Sequence, residues 1–206
     1  MKINIGKTEL IHFVGIGGIG MSGLALIMDS LGFKIQGSDK SDNKNLNLLR
    51  KRKIPIYLNH NKQNIKNCTV LVVSSAIKKS NPEYRHAKKL NLPIYKRGEL
   101  LGHIVSLMKN IVVTGSHGKT TTTSILSNIM NYAKLDPTII NGGVLNSIGS
   151  SAKLGKSDWS LVESDESDGS FLQIPFNYSI ITNIDNEHLD YYLSLIHISE
   201  PTRRYE

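Results

Sequence analysis

Short apolar stretches alternate with segments of helical spacing along most of this 206-residue chain. Ile, Val and Leu dominate the apolar stretches, which is typical of strands that are buried on both faces. The predicted strands are residues 10–15, 33–38, 55–57, 68–73, 92–95, 111–113, 137–140, 157–162 and 178–182. Three helices are predicted with both bounds, at residues 43–53, 97–108 and 119–132. Two more are predicted by their starts, one within residues 21–28 and one at residues 81–83. Alternating strands and helices predict an α/β fold.

The alternation divides into two predicted domains near residue 108. Residues 1–108 predict a Rossmann-like, doubly wound domain, because each strand is followed by a segment that returns the chain to the same edge of a sheet. A second α/β domain, of the P-loop type, begins at residue 109, and a loop is predicted at 141–143 after its second strand. We expect the first domain to fold on its own.

The turn after the strand at 111–113 has the composition of a phosphate-binding loop. Its sequence is Thr114-Gly115-Ser116-His117-Gly118-Lys119-Thr120-Thr121. Glycines let backbone N–H groups approach phosphate oxygens, a lysine reaches the terminal phosphates, and a threonine hydroxyl can bind Mg²⁺. The loop is shorter than the usual pattern, which has a glycine where Val113 stands. The alternative is a plain turn whose lysine lies in solvent.

An earlier glycine-rich turn, Gly15-Ile16-Gly17-Gly18-Ile19-Gly20, follows the first strand. Its spacing fits the dinucleotide-binding fingerprint, and Asp39 ends the next strand about 20 residues later, where a ribose hydroxyl would be bound. The fingerprint indicates a phosphate at a helix N-terminus and does not decide between NAD and another nucleotide.

Two serines, Ser74 and Ser75, follow the strand at 68–73. Because the carboxyl ends of parallel strands meet at one edge, we expect these serines on the same rim as Gly17 and Asp39. A plain turn is the alternative.

An acidic cluster, Glu163-Ser164-Asp165-Glu166-Ser167-Asp168, follows the strand at 157–162. An acidic residue at a strand end in a phosphate-loop domain is where Mg²⁺ is usually held. A solvated acidic loop is the alternative. His188 lies further along and is either a ligand near a second metal or a surface histidine.

Composition limits the remaining classes of function. The formal net charge is +8, but the lysines are dispersed, so we expect no nucleic-acid partner. A run of about 18 apolar residues is absent, and residues 1–9 lack the features of a signal peptide, so we expect neither a membrane span nor a leader. The single cysteine, Cys68, fits a reducing cytoplasm.

Five motifs occur in one order, at residues 15–22, 74–77, 114–123, 163–171 and 182–190. In this combination the chain resembles the Mur ligases over residues 10–192. The resemblance implies a cytoplasmic step of peptidoglycan synthesis, in which ATP phosphorylates the carboxylate of UDP-N-acetylmuramate. The amine of L-alanine then attacks the acyl phosphate and phosphate leaves. A relative that adds a whole tripeptide to the same sugar nucleotide is the alternative within the family.

The resemblance also implies which residues bind each ligand. The implied catalytic residues are Lys119, Glu163 and His188, and the implied Mg²⁺ ligands are Thr120, Glu163 and His188. The implied ATP-binding residues are Gly115, Ser116, His117, Gly118, Lys119, Thr120 and Thr121. The implied residues for the UDP sugar are Gly15, Gly17, Gly18, Ile19, Gly20, Asp39, Ser74 and Ser75.

The family has three domains, so the resemblance makes residues 109–192 a truncated central ATP-binding domain. Residues 193–206 begin Leu-Ser-Leu-Ile-His-Ile-Ser-Glu-Pro-Thr-Arg, which resembles an in-frame translation of a transposase sequencing adapter. We therefore expect residues 193–206 to be an artefact of assembly. We also expect the chain to be an N-terminal fragment that binds nucleotides without turnover.

Overall fold

The structure of the protein is a computed structural model, and it describes residues 5–145, 150–164 and 174–184. Two five-stranded sheets account for all the strands in these ranges. No helix within these ranges is long and apolar enough to span a membrane.

The first sheet is fully parallel, as predicted, and has the strand order β3-β2-β1-β4-β5. Its strands are β1 (Leu10–Val14), β2 (Lys34–Ser38), β3 (Ile56–Tyr57), β4 (Val70–Val73) and β5 (Ile94–Lys96). Its helices are α1 (Ile19–Ser30), α2 (Lys44–Lys51), α3 (Pro82–Lys89) and α4 (Arg97–Ser106), with a 3₁₀ turn at Lys62–Ile65.

Helices cover both faces of this sheet, which confirms the predicted doubly wound architecture. The side chains of β4 show it best, because successive residues of a strand point to opposite faces. Val70 and Val72 belong to one buried cluster, whereas Leu71 and Val73 belong to a second. Four consecutive apolar residues are therefore needed where both faces of a strand are covered.

The second sheet has the order β10-β6-β9-β7-β8. Its strands are β6 (Lys109–Thr114), β7 (Thr138–Leu145), β8 (Ser150–Lys153), β9 (Trp159–Glu163) and β10 (Tyr178–Ile181), and its helix is α5 (Lys119–Tyr132). All neighbouring pairs are parallel except β7 and β8, which are antiparallel. The start of β6 at Lys109 coincides with the predicted domain boundary.

The predicted loop at 141–143 is wrong, because β7 continues through these residues to Leu145. Glycine and asparagine disfavour strands, which is why the sequence suggested a turn. Pairing with β8 overrides that preference. The register between the two strands shifts between Ile140 and Leu145, which is the irregularity that glycines tolerate in a strand. The strand β8 was not predicted from the sequence.

Helix α1 is shared between the two sheets. It contacts β2 and α2 of the first sheet and also β7 and β8 of the second. Its residues are apolar on all sides, and seven of its twelve residues are buried, as expected for a helix that is covered all round. Ile140 and Ala152 of the second sheet join the buried cluster that contains Leu24 and Met28 of α1. The core is thus continuous across residue 108, which argues against independent folding of the first domain.

Candidate functional site

The phosphate-loop candidate lies at the carboxyl end of β6, between β10 and β9 in the sheet. Gly118 caps the N-terminus of α5 with a left-handed backbone (φ +80°), and the N–H of Thr122 bonds to its carbonyl at 2.9 Å. A glycine suits this position because other residues rarely adopt that conformation. The first N–H groups of a helix have no acceptor within the helix, so the turn presents them at the strand end.

Gly115 is required by a close approach as well as by its φ of +129°. A Cβ at this position would lie 2.2 Å from the Oγ1 of Thr182 and 2.8 Å from the carbonyl oxygen of Asn183. The residues that follow β10 therefore lie directly against the loop.

The amine of Lys119 lies over the loop. Its Nζ donates to the carbonyl oxygen of Gly115 at 2.5 Å and lies 3.3 Å from that of Ser116. The positive charge is therefore held inside the turn rather than in solvent. The amine is thus bonded within the turn, whereas the alternative of a plain turn had placed it in solvent.

Thr120 and Glu163 are brought together although 43 residues separate them. The hydroxyl of Thr120 donates to Oε1 of Glu163 at 3.0 Å. Glu163 is aligned with Val113 because β9 pairs with β6, and this places the carboxylate beside the loop. A hydroxyl and a carboxylate are oxygen ligands of the kind that Mg²⁺ prefers, so the two residues fit that ion.

His188, the remaining predicted metal ligand, lies outside the described residues. Asp165, Glu166 and Asp168, the other members of the acidic cluster, lie outside them as well. Within the described ranges no group of three or more His, Cys, Asp or Glu side chains is arranged to hold a metal. The predicted artefact at 193–206 also lies outside the description.

The first glycine turn joins β1 to α1 at the centre of the first sheet. Gly15 is left-handed (φ +81°), and the N–H groups of Gly15 and Ile16 both bond to the carbonyl of Ser38 at 2.8 and 3.0 Å. At Gly17 a Cβ would lie 2.6 Å from Nδ2 of Asn43. Nδ2 of Asn43 also donates to the carbonyl of Gly17 at 3.2 Å. The turn is therefore shaped by residues that follow β2.

Asp39 contributes to the shape of this turn. Its Oδ2 accepts from the N–H of Gly17 at 2.8 Å, and its Oδ1 accepts from the N–H of Lys40 at 2.8 Å. The predicted role was a contact with a ribose or uracil. The carboxylate lies on the correct rim for that role, but its described contacts are with the protein backbone.

Ser74 and Ser75 lie at the carboxyl edge of the first sheet, as Asp39 does. They line a different cleft from Lys40, which follows β2. They line a cleft of about 760 Å³. Lys40 and His60 line a neighbouring cleft of about 480 Å³, and Ile77 contributes to both. The carboxyl edge of the first sheet therefore offers two adjoining depressions rather than one.

Arg97 was not predicted and lies against the first turn. It is the first residue of α4, and its Nη1 would lie 3.0 Å from a Cβ at Gly20. A guanidinium near a helix N-terminus favours anions. Nothing in the local sequence marks this arginine, because its position depends on how α4 packs beside α1.

A buried polar cluster lies on the α3 face of the first sheet. The carboxylate of Glu83 accepts from the hydroxyl of Ser38 at 2.6 Å and from Nδ2 of Asn64 at 2.6 Å, and it lies 3.1 Å from Nδ1 of His60. Nε2 of the buried His12 is 3.6 Å from the same carboxylate. Burial alone would raise the pKa of Glu83, but its contacts with His12, Ser38 and Asn64 outweigh burial and hold the pKa below its ordinary value.

One partial signal for this cluster is visible in the sequence: a histidine, His12, within the apolar strand β1. Glu83 itself gave none, because acidic residues are common in the first turn of a helix. The free thiol of Cys68 is buried, and burial raises its pKa to about 11, with Glu83 adding to the effect. This thiol is therefore suited to packing rather than to chemistry.

Two family models match the chain in succession. Residues 10–109 match the one described as "Mur ligase family, catalytic domain", and residues 113–202 match "Mur ligase middle domain". The second match reaches into residues 193–202, which belong to the predicted artefact at 193–206. The assignment of an artefact there stays a prediction.

Curated relatives match nearly the whole chain. The UDP-N-acetylmuramate--L-alanine ligase of Pelagibacter ubique is 65% identical over 200 residues, which is 97% of this chain and 43% of the relative. The ligase of the same name from Bartonella henselae is 46% identical over 205 residues, or 100% of this chain and 42% of the relative. The chain thus spans less than half the length of these relatives.

Solved structures agree with the fold. The UDP-N-acetylmuramate-alanine ligase of Thermotoga maritima superposes with a TM-score of 0.82 at 33% identity, over 90% of this chain and 44% of that one. A UDP-N-acetylmuramate:L-alanyl-gamma-D-glutamyl-meso-diaminopimelate ligase from Neisseria meningitides also gives 0.82, at 27% identity, over 92% of this chain and 65% of that one. With two of its domain types matched in order, the chain belongs to the Mur ligase family.

Proposed function

We propose that this chain is the nucleotide-binding part of an ATP-dependent ligase that joins L-alanine to UDP-N-acetylmuramate in peptidoglycan synthesis. The observation that supports this most is the hydroxyl–carboxylate pair of Thr120 and Glu163, 3.0 Å apart beside the lysine-bearing loop. That arrangement suits a nucleoside triphosphate with a divalent cation. The relative from Pelagibacter ubique, at 65% identity, supplies the proposed substrates.

At the second turn, the ligand would be ATP. The N–H groups at the start of α5 would bind its phosphate oxygens, and the ammonium of Lys119 would offset their charge. Thr120 and Glu163 would hold Mg²⁺, which would supply positive charge to offset the charge of the phosphates. The role of His188 at a second Mg²⁺ is carried by the family resemblance alone.

At the first turn, the ligand would be the UDP moiety. The N-terminus of α1 would lie beside the diphosphate at Gly17, Gly18 and Ile19, with the N–H of Gly17 already bonded to Asp39. Arg97 adds a positive charge beside Gly20 that favours the same anion. Asp39 would bind the ribose or uracil while it also supports the turn, since each of its oxygens can accept more than one hydrogen bond.

The two sites would serve one reaction. The γ-phosphoryl group of ATP passes to the carboxylate of the sugar nucleotide, and the amine of L-alanine then displaces phosphate. The chain's residues form no covalent bond in this scheme. Lys119 and the α5 N-terminus would act by fixed positive charge, which supplies most of the rate enhancement in such transfers.

Two alternatives use the same features. A tripeptide-adding ligase would have the same fold, but the matching protein from Neisseria meningitides is only 27% identical, against 65% for the L-alanine ligase. A non-catalytic nucleotide-binding module would retain both sites without turnover. We expect this behaviour of the present chain, because it spans 43% of that relative. Cytoplasmic location stays a prediction from sequence.

Calorimetric titration with UDP-N-acetylmuramate, and separately with NADH, tests the first site. We expect the sugar nucleotide to bind and NADH not to bind. An assay of phosphate release with ATP, UDP-N-acetylmuramate and L-alanine tests the chain as a catalyst, and we expect no release that depends on L-alanine. Binding of NADH in place of the sugar nucleotide would overturn the proposed substrate.

A further inference from the structure

Two side chains that follow β10 bond to the backbone of the phosphate-loop candidate. The hydroxyl of Thr182 donates to the carbonyl oxygen of His117 at 2.6 Å. The N–H of His117 donates to Oδ1 of Asn183 at 2.9 Å. Both backbone polar groups of one loop residue are thus bonded from the neighbouring strand. We call Thr182 and Asn183 the clamp.

The clamp continues the pairing of β10 with β6 into the loop. The last paired residues are Ile181 and Thr114, and the N–H of Thr182 bonds to the carbonyl of Thr114 at 2.9 Å. The hydroxyl of Thr182 also lies 3.2 Å from that carbonyl, but it has one proton, and the shorter distance assigns that proton to His117. Gly115 makes the contact possible because it has no Cβ.

The bonds determine which part of the loop faces the ligand. The N–H of His117 donates to Asn183, so this backbone group is already bonded before a phosphate arrives. The next residue, Gly118, is left-handed and begins α5. A fixed His117 therefore fixes the direction of the α5 N-terminus and of Lys119.

We propose that Thr182 and Asn183 are positioning residues of the phosphate site, which hold the loop in its binding conformation before a nucleotide arrives. The inference rests on the proposed ATP site at this loop. A loop that is already ordered loses less conformational entropy on binding, so its affinity is higher. Neither side chain needs to touch the nucleotide for this effect.

The test compares nucleotide binding by the parent chain with nucleotide binding by two variants of the whole chain that differ only at Thr182. Thr182→Val keeps the shape and removes the hydroxyl, whereas Thr182→Ser keeps the hydroxyl. Thr69→Val is the matched control, because the Thr69 hydroxyl also bonds to backbone, at 3.2 Å from the N–H of Leu10, but in the first sheet. ATP with Mg²⁺ and UDP-N-acetylmuramate are titrated separately, and circular dichroism confirms that each variant is folded.

We expect Thr182→Val to bind ATP with Mg²⁺ about tenfold more weakly. Thr182→Ser and Thr69→Val should stay within about twofold of the parent chain, and all variants should bind UDP-N-acetylmuramate equally. Asn183→Ala provides a second route if Thr182→Val does not fold, and it should weaken ATP binding in the same direction.

Three results would overturn the proposal. Unchanged ATP affinity in Thr182→Val and Asn183→Ala would show that the clamp does not act on the loop, while the ATP site itself would stand. Equal losses at both nucleotide sites would show a general structural role. A parent chain that binds no ATP would overturn the ATP site and, with it, the clamp.

Discussion

The two glycine turns of this chain have the same local construction and different chemistry. Each joins a parallel strand to a helix, and each has an acidic residue at the end of the neighbouring strand. At the first turn, Asp39 bonds to the N–H of Gly17 and so helps to shape the backbone. At the second, Glu163 bonds to the side chain of Thr120, and Lys119 adds a positive charge. The acid at the strand end supports the turn in one case and completes a polar site in the other.

The helices that follow the two turns also differ. Helix α1 is buried between the two sheets, whereas α5 exposes Ile125, Ile129 and Tyr132 along one side. The helix after the first turn thus packs against elements of both sheets. The helix after the second turn packs mainly against its own sheet. Changes to the core should affect the first turn most, and changes of charge should affect the second.

Removal of the second half should produce the largest effect. A chain of residues 1–108 would expose the side of α1 that packs on β7 and β8. Each large apolar side chain that loses its cover costs about 1.5–3 kcal/mol, so several together approach the whole stability of a small domain. We expect residues 1–108 to unfold at much lower urea concentration than the whole chain, or without a cooperative transition. An unchanged midpoint would restore the prediction of an independent first domain.

Removal of the loop's charge should affect only the second turn. Lys119→Ala should weaken binding of ATP with Mg²⁺ on the order of 100-fold, since charge-assisted bonds to phosphate are lost. Lys109→Ala is the matched control. Lys109 is exposed at the start of β6, at the end of the strand opposite to the loop, and pairs with Asp158. Calorimetry should show that both variants bind UDP-N-acetylmuramate normally. Equal losses of ATP affinity in the two variants would contradict the site.

The buried cluster beneath the first sheet should make stability depend on pH. The pKa of Glu83 is lowered in the folded protein, so its ionised form stabilises the fold above the ordinary glutamate pKa of about 4.3. That contribution is lost as the pH falls through the lowered pKa. Glu83→Gln should cost about 2 kcal/mol in urea unfolding at neutral pH, and the difference from the parent chain should shrink in acid.

Glu9→Gln serves as the control for this experiment, because the carboxylate of Glu9 accepts from the nearby N–H of Gly6 and lies near the surface. Its substitution should leave the unfolding free energy nearly unchanged. A Glu83→Gln cost that is constant from neutral to acidic pH would show that the charge of Glu83 is not the source.

Loss of the first acid should give the smallest effect. Asp39→Ala removes the hydrogen bond to the N–H of Gly17. It should weaken the binding of UDP-N-acetylmuramate about tenfold and leave the affinity for ATP unchanged. Asp158→Ala is the control, because the exposed Asp158 pairs with Lys109 at the far end of the second sheet from the loop. Weaker binding of ATP by Asp39→Ala, with unchanged binding of UDP-N-acetylmuramate, would contradict the assignment of separate ligands to the two turns.

Local patterns predicted most of the fold and the placement of the loops. Strands with continuous apolar runs, such as β4, and the capped helix α5 fell close to the predicted bounds. The error at residues 141–143 arose because glycine preference is local, whereas the pairing of β7 with β8 is not. The sharing of α1 between two sheets was signalled by its all-round apolar character.

Residue types revealed only part of the candidate site. Lys119, Thr120 and Glu163 have side chains whose chemistry suggests a role, and the structure places the hydroxyl of Thr120 3.0 Å from the carboxylate of Glu163. Thr182, Asn183 and Arg97 reach the two turns from distant parts of the chain. Their residue types are common in turns and helix ends, so only the folded arrangement distinguishes them.

We propose that the two turns bind two different nucleotides at the same time. The most direct test is a calorimetric titration of ATP into the chain already saturated with UDP-N-acetylmuramate, with and without Mg²⁺. We expect ATP to bind with one-to-one stoichiometry, more tightly when Mg²⁺ is present, and with the sugar nucleotide still bound. Displacement of UDP-N-acetylmuramate by ATP, or no binding of ATP at all, would contradict the claim.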